Sequence, residues 1–220
     1  MDILKLMEER HSVREYLDKS IEEDKKEILN AYIEKVNEEY DTNVQIFYDD
    51  ERCFKNASAS YGNFSGCKNL IALVGKDEEK CGYVGQLIVL KAQEIGLNTC
   101  FVFLTYERSY VKGLVKVNKG EKIYCSIALG YGKTSGHERK SKSEEQVLKL
   151  IGDRPEYLDE VVKAALLAPT AINQQKFKII CENGEISIKK THPGVCLDTD
   201  LGIVKCNVDL ILNKYNKKVK

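Results

Sequence analysis

The sequence is poor in several residue types that catalytic and metal sites use. It contains no tryptophan and only three histidines, His11, His137 and His192. Its eight cysteines are scattered singly, without a C-x-x-C pair. Catalytic triads and zinc sites need such side chains in clusters, so nucleophilic and metal-dependent mechanisms lack their components here.

An excess of charge and a long apolar run are also missing. Lysine plus arginine and aspartate plus glutamate number 34 each, so no net field attracts nucleic acid or an anionic membrane. No segment approaches the roughly 20 apolar residues of a membrane-spanning helix. The first residues, Met1-Asp2-Ile3-Leu4, lack the basic start of a signal peptide. We therefore expect a soluble, cytoplasmic protein that binds neither nucleic acid nor membranes, with most of its cysteines reduced and buried.

The composition that remains is that of a globular protein. Hydrophobic residues make up 43% of the 220 residues and charged residues 31%, far from the signature of disorder. A chain of this length predicts a single domain spanning residues 1–220.

Hydrophobic periodicity predicts both helices and strands. Helices are expected at 2–10, 21–40, 82–95, 154–167 and 200–215, and strands at 43–48, 69–75, 99–104, 122–129, 177–181 and 185–189. Residues 49–66 are expected to be irregular. Asn183-Gly184 joins the last two strands in a hairpin. Because helices and strands do not alternate strictly and the hairpin is antiparallel, the predicted class is α+β.

Two guanidinium groups stand close together near the amino end. The segment Arg10-His11-Ser12-Val13-Arg14 places them four residues apart, with a hydroxyl and an imidazole between them. Guanidinium donates hydrogen bonds in a fork that matches phosphate oxygens, which favours a phosphate site. The alternative is a solvated helix end in which Arg10 and Arg14 pair with Glu8, Glu9 or Glu15.

A loop of uncharged hydrogen-bonding groups follows the predicted helix 154–167. In Ala168-Pro169-Thr170-Ala171-Ile172-Asn173-Gln174-Gln175, Asn173 can donate and accept at once, as the edge of a flavin pyrimidine ring requires. The alternative is a plain helix terminus with Thr170 as the N-cap of the next turn.

Two further features are less specific. A helix ends at Gly96-Leu97-Asn98-Thr99 and leads into a strand, and Gly130-Tyr131-Gly132 leads into a basic loop at 133–142. A helix–glycine–strand junction is commonly architectural, and a basic loop is commonly a solvated surface.

Taken in order, these motifs resemble the nitroreductase family, and within it the short TM nitroreductase branch. The likeness spans nearly the whole chain. The matching stretches are 10–14, 85–90 through 96–100, 129–132 with its basic continuation, 168–175 and 200–203. The resemblance implies a nitroreductase-like fold with a mostly antiparallel central sheet flanked by helices, and a homodimer with two FMN sites between its subunits.

The resemblance also implies which residues bind FMN. Arg10 and Arg14 would bind the phosphate, with His11 and Ser12 beside the phosphate and ribityl chain, and Arg139 or Lys140 would close the pocket from the other subunit. The isoalloxazine ring would be lined by Pro169, Thr170, Ala171, Asn173 and Gln175, and its reactive edge approached by the backbone of Gly96, Leu97, Asn98 and Thr99.

The implied activity is electron transfer from NADH or NADPH through FMN to a small-molecule acceptor such as a nitroaromatic or a quinone. The flavin carries this chemistry, so no catalytic side chain is expected. The family often has Gln-Pro-Trp after the asparagine, where this chain has Gln175-Lys176-Phe177. This departure leaves open an FMN-binding protein without turnover. Two further alternatives are another flavin reaction, such as enone reduction or dehalogenation, and an α+β interaction protein with no cofactor.

Overall fold

A computed structural model describes residues 2–55 and 64–220. The helices are α1 (Ile3–Glu9), α2 (Glu23–Tyr40), α3 (Glu78–Glu94), α4 (Arg108–Leu114), α5 (Glu144–Val147), α6 (Leu158–Leu167) and α7 (Leu197–Leu212). The strands are β1 (Gln45–Phe47), β2 (Asn69–Gly75), β3 (Asn98–Val102), β4 (Lys122–Gly130), β5 (Leu148–Ile151), β6 (Phe177–Glu182) and β7 (Glu185–Lys190). The predicted α+β class, with an antiparallel sheet flanked by helices, is confirmed.

The larger sheet has four antiparallel strands in the order β1-β2-β4-β3. Both of its faces are covered, so every residue of β2 is buried. One face, which includes Ile71 and Ile127, packs against α2 and α3. The opposite face, which includes Leu70 and Ala128, packs against Val13 and the region of α4. Burial on both faces explains the continuous apolar run at 69–75.

The smaller sheet has three strands in the order β5-β6-β7, and α1, α6 and α7 share its apolar core. The predicted hairpin is confirmed, since β6 and β7 are antiparallel and both Asn183 and Gly184 have positive φ angles, as a tight hairpin turn requires. Strand β5 pairs with β6 in parallel.

Several elements differ from those predicted. Helix α3 begins at Glu78 rather than at residue 82, because the Asp77 side chain accepts a hydrogen bond from the Lys80 backbone N–H at 3.0 Å and caps the helix. Helix α7 begins at Leu197, three residues early, and α6 begins at Leu158. Helices α4 and α5 and strand β5 were not predicted. Of the segment expected to be irregular, residues 56–63 lie outside the described residues.

The cysteines are mostly buried, as predicted. Seven of the eight are buried, Cys196 is half-buried, and none is joined in a disulfide within the described ranges. Burial raises the pKa of most of these thiols, as for Cys53, whose pKa rises to about 11. None of the helices described has the length and apolar character needed to cross a bilayer.

Helices α3 and α7 cross at backbone contact. A Cβ atom on Gly202 would lie 1.9 Å from the Glu79 carbonyl oxygen, and one on Gly82 would lie 2.1 Å from the Thr199 carbonyl oxygen. Both contacts are with backbone atoms, which cannot move aside by changing a side-chain rotamer. This crossing joins the helices of the larger sheet to those of the smaller one, and it also sets the position of Asp200.

We expect Gly202→Ala to destabilise the protein by at least ~2 kcal/mol, because the added methyl group forces the two helices apart. The matched control is Gly113→Ala in α4, where an added Cβ meets nothing within 4 Å. That substitution should be neutral or stabilise by up to ~1 kcal/mol. Urea unfolding of both variants tests the close crossing, and equal effects would contradict it.

Candidate functional site

The segment that carries the two arginines leaves α1 and runs along the sheet. Arg10 is the extended C-cap residue of α1. Ser12 then forms a parallel bridge with Thr99, and the Val13 N–H donates to the Thr99 carbonyl at 3.1 Å. The predicted phosphate segment and the start of β3 are therefore neighbours.

The basic loop 133–142 lies on top of this segment. The Gly132 N–H donates to Asn98 Oδ1 at 2.9 Å, which anchors the start of the loop. Gly136, with φ +80°, passes so close that a Cβ on it would lie 2.6 Å from His11 Cβ. The loop is thus not a solvated surface along its whole length, and it carries Arg139 into the neighbourhood of Arg10.

Arg10 is a buried cation to which no carboxylate of the described residues is paired. Its side chain is only 5% exposed, and Nε has no hydrogen-bond partner among the described residues. Glu8 pairs instead with Lys163, and Glu9 with Lys5. Burial and the neighbouring Arg139 lower the pKa of Arg10 to about 10. The alternative of a solvated, ion-paired helix end therefore does not describe Arg10.

Arg139 is held by carbonyl groups of its own chain. Its guanidinium donates to the Leu166 carbonyl at 3.1 Å and the Ala168 carbonyl at 2.6 Å, at the carboxyl end of α6. The negative end of the helix dipole favours a cation there. Burial lowers the pKa of Arg139 to about 10, against the opposing effect of Asp200. Arg10 and Arg139 thus share a poorly solvated region. The carbonyl groups at the end of α6 accept hydrogen bonds from Arg139 but not from Arg10 Nε.

His11 and Arg14 lie at the rim of this region. Burial and the charge of Arg10 lower the pKa of half-buried His11, so its imidazole is neutral at pH 7. Arg14 is exposed, and Ser12 is half-buried.

The loop after α6 is held in a strained shape. Helix α6 ends at Leu167, with Ala168 as its C-cap residue before Pro169, and a 3₁₀ turn follows at Ala171–Asn173. The non-glycine residues Ile172, Asn173 and Gln175 all have φ between +45° and +54°. Backbone of this kind costs about 1–3 kcal/mol per residue and persists only where surrounding contacts impose it.

Hydrogen bonds with the basic loop 133–142, and hydrogen bonds within the loop 168–175, impose this shape. Buried Gln175 accepts a hydrogen bond from the Lys142 N–H at 2.7 Å through its Oε1. The Thr170 hydroxyl accepts from the Gln175 N–H at 3.1 Å and does not cap the turn Ala171–Asn173. Thr170 therefore closes the loop, which differs from the N-cap alternative.

Asn173 keeps an acceptor free. Its Nδ2 donates to the Lys140 carbonyl at 2.7 Å, whereas its Oδ1 is inaccessible to solvent and has no partner in the described part of the chain. A buried amide oxygen without a donor is costly, so this atom is suited to the N–H of a bound ligand.

Asp200 was matched as part of a motif, but sequence reasoning gave it no role. Its carboxylate accepts hydrogen bonds from the Ala171 N–H at 2.9 Å and from Gln174 Nε2 at 2.7 Å. It lies in the first turn of α7 and is 5% exposed. Burial raises the pKa of Asp200 to about 6. The sequence signal was an acid among apolar residues of a helix, which alone does not reveal its partner.

The structure brings most of the predicted residues into one region and leaves some out. Loop 133–142 joins the segment of Arg10 to the loop of Asn173 within a single chain. Leu97 instead belongs to the core between the larger sheet and α2 and α3. Gly96 faces α2, where an added Cβ would meet only Lys25 Nζ at 3.8 Å. Lys140 is exposed and contributes its carbonyl.

Comparison with solved structures shows the fold. A Thermotoga maritima protein described as a putative nitroreductase is 23% identical, with a TM-score of 0.66, over 100% of this chain and 87% of that one. A Desulfovibrio desulfuricans protein described as a putative nitroreductase in complex with FMN is 17% identical, with a TM-score of 0.55, over 70% of this chain and 99% of that one. The architecture is that of the nitroreductase fold.

A third structure carries the same fold. It is a Bacteroides thetaiotaomicron protein described as a putative NADH dehydrogenase/NAD(P)H nitroreductase, 20% identical with a TM-score of 0.54, over 67% of this chain and 96% of that one. No protein with a curated description matches the chain. One family model does match, over residues 2–211, and its description is "Putative TM nitroreductase". The chain belongs to this family, the TM nitroreductase branch of the nitroreductases.

Proposed function

We propose that this chain is an FMN-dependent oxidoreductase that passes electrons from NADH or NADPH through bound FMN to a nitroaromatic, a quinone or a similar acceptor. The observation that carries the proposal is the pair of neighbouring guanidinium groups, Arg10 buried and Arg139 half-buried, with no carboxylate on Arg10 among the described residues. Membership of a nitroreductase family and the FMN complex of one fold neighbour support the choice of flavin.

The residues present fit FMN at both of its ends. A phosphate group would give Arg10 Nε the acceptor it lacks and would offset the repulsion between the two guanidinium groups. At the other end, Asn173 Oδ1 can accept from the ring N–H of the pyrimidine, and the second hydrogen on Nδ2 is free to donate to a ring carbonyl.

Each part of the chain then has a defined task. When bound, FMN supplies the redox chemistry. Arg10 and Arg139 bind the phosphate, with neutral His11 and Ser12 beside it. Residues Pro169, Thr170, Ala171, Asn173 and Gln175 orient the ring, and the hydrogen bonds that fix their loop keep its position constant. The Thr99 backbone supports the arginine segment from β3, and the Asn98 side chain anchors the start of loop 133–142.

A second copy of the chain would complete the site. Ile172, beside Asn173, is 73% exposed, and Val195, whose backbone hydrogen-bonds the Gln174 side chain, is 54% exposed. We propose a homodimer in which this apolar surface is covered, and in which residues 1–220 of each copy form one domain. The unpaired cysteines support a reducing compartment such as the cytoplasm.

The oxidoreductase proposal predicts a complete redox cycle. The protein should take up one FMN per chain, and NADH or NADPH should bleach the visible flavin absorbance without oxygen. A nitroaromatic or a quinone should then restore it. Anaerobic absorbance spectroscopy measures each step.

Each failure has its own meaning. If bound FMN stays oxidised under excess NADH and NADPH, the FMN-binding alternative holds instead. If only an enone or a halogenated substrate restores the absorbance, one of the other flavin reactions is favoured. A protein that takes up no FMN contradicts the proposal.

The two ends of the site can be separated with FMN and riboflavin, which differ only in the phosphate. Arg10→Met should weaken FMN binding about 10- to 100-fold, the value of one or two charge-assisted hydrogen bonds, and leave riboflavin binding unchanged. Asn173→Leu should weaken both ligands about equally. Quenching of flavin fluorescence gives the dissociation constants.

The control is Arg52→Met, an exposed arginine paired with Asp50, which should change neither constant. Because Arg10→Met removes a buried cation that lies beside a second cation, we expect no loss of stability in urea without ligand. Equal losses of FMN and riboflavin affinity in Arg10→Met would contradict the phosphate assignment.

The dimer proposal concerns the exposed apolar surface. Sedimentation should give twice the 25.0 kDa of one chain. Ile172→Asp should shift the protein toward monomers and weaken FMN binding, because a charge would be buried at the interface. Val117→Asp, at a residue 45% exposed elsewhere on the surface, should do neither. A monomeric wild-type protein that binds FMN tightly would overturn the proposal.

A further inference from the structure

The loop that carries Asn173 receives one hydrogen-bonding group from a distant helix. The turn Ala171–Asn173 begins with a backbone N–H that no side chain of its own loop caps. Asp200 of α7 supplies the acceptor, since both of its oxygens lie within 3.1 Å of the Ala171 nitrogen. A carboxylate at the start of a helical turn satisfies the free N–H groups there and interacts favourably with the dipole.

The same carboxylate fixes the other side of the turn. Asp200 Oδ2 accepts from Gln174 Nε2 at 2.7 Å, and that amide group also donates to the Val195 carbonyl at 2.6 Å. Gln174 Oε1 accepts from the Val195 N–H at 3.2 Å. The strained residues of the loop are therefore bracketed by contacts that converge on Asp200.

Asp200 is also linked electrostatically to the phosphate end of the proposed site. Its charge raises the pKa of Arg139 against the effect of burial, and Arg139 in turn lowers the pKa of Arg10. Among the described residues, Asp200 is thus the one acid that both contacts the loop 168–175 and raises the pKa of Arg139.

We propose that Asp200 is a positioning residue, whose ionised carboxylate holds the turn Ala171–Asn173 in the shape that receives the flavin ring, so that its protonation weakens FMN binding. The proposal rests on the proposed FMN site. Asp200 does not touch the flavin in this role, and acts through Ala171 and Gln174.

The groups around Asp200 place its titration close to neutral pH. Burial raises its pKa to about 6, and Glu78 of α3 acts in the same direction. Gln174, the Ala171 N–H and Arg139 oppose them. The Cys196 thiol at the start of α7 also lies near Asp200, and the charge of Asp200 raises the pKa of that thiol. Protonation leaves Asp200 without the charge that strengthens its two hydrogen bonds.

Loop shape and overall stability should respond to acid in opposite directions. The pKa of Asp200 is raised above its unfolded value, so the folded protein binds more protons than the unfolded chain between about pH 4 and 6. The ionised group therefore costs stability above about pH 6, and that cost falls away as the pH drops. A decrease in FMN affinity over the same pH range cannot then be explained by this group unfolding the protein.

The test measures the FMN dissociation constant by fluorescence quenching between about pH 5 and 8 for wild type, Asp200→Asn and Asp198→Asn. Asp200→Asn places a donor opposite Gln174 Nε2 and mimics the protonated acid. It should bind FMN about 10-fold more weakly than wild type near pH 8, the value of a hydrogen bond to a charged group. The ratio of the two constants should fall toward one near pH 5.

Asp198→Asn is the matched control. It makes the same change in the same helical turn, at a half-exposed acid that pairs with Lys190, and should follow wild type at every pH. Titration of the FMN phosphate affects all three proteins alike, so it cancels in the ratios. A ratio for Asp200→Asn that stays constant with pH, or equals one throughout, overturns the proposal.

A second measurement separates this inference from the proposed function. Amide hydrogen exchange of the flavin-free protein at a single pH should be faster at Ala171 in Asp200→Asn than in wild type or Asp198→Asn. Unchanged exchange with normal FMN binding contradicts the inference alone. A wild-type protein that binds no FMN contradicts both the proposed function and the role of Asp200 toward a flavin.

Discussion

Two guanidinium groups are held together in a place where water reaches them poorly. Arg10 arrives from the end of α1, and Arg139 arrives in a loop that crosses over it. The carboxyl end of α6 neutralises part of the charge of Arg139, but no described residue accepts from Arg10 Nε. Buried charges are costly unless they are paired, so this arrangement favours an anion as a ligand. Helix α1, the basic loop 133–142 and helix α6 all meet at this pair of arginines.

The second feature of the site is strain that other elements fix in place. Three non-glycine residues at positive φ would relax if the loop were free. The loop accepts a hydrogen bond from the Lys142 N–H and donates to the Lys140 carbonyl and the Asp200 carboxylate, and these contacts with two other parts of the chain determine one conformation. The close crossing of α3 and α7 matters for this reason, since it sets where α7 presents Asp200.

Much of the fold follows from local patterns. The run 69–75 predicted a strand buried on both faces, and Asn183-Gly184 predicted the hairpin, because each signal lies within a few neighbouring residues. Strand β5 was missed because its residues are mostly exposed and it is stabilised by parallel pairing with β6, distant in sequence. Helix α4 was missed because its seven residues include Ser109 and Gly113, which are poor helix formers.

The site divides in the same way. The types of residue at 10–14 and 168–175 indicated a phosphate group and a planar heterocycle. Their meeting within one chain depends on Gly136 and Arg139, and the function of Asp200 depends on a helix 29 residues beyond Ala171. Contacts between residues so far apart in the sequence cannot be predicted from a local pattern. The N-cap alternative for Thr170 fails for the same reason. The Thr170 hydroxyl accepts a hydrogen bond from the Gln175 N–H, and the sequence does not reveal the backbone conformation of Gln175.

A crystal structure of the protein with FMN is the most direct test of whether Arg10 and Arg139 bind the phosphate. We expect the phosphate within hydrogen-bond distance of Arg10 Nε, and the pyrimidine ring with its N–H on Asn173 Oδ1. If the phosphate binds elsewhere and Arg10 Nε has a carboxylate or a water molecule as its partner, the pair is not an anion site and the proposed orientation of the flavin is wrong.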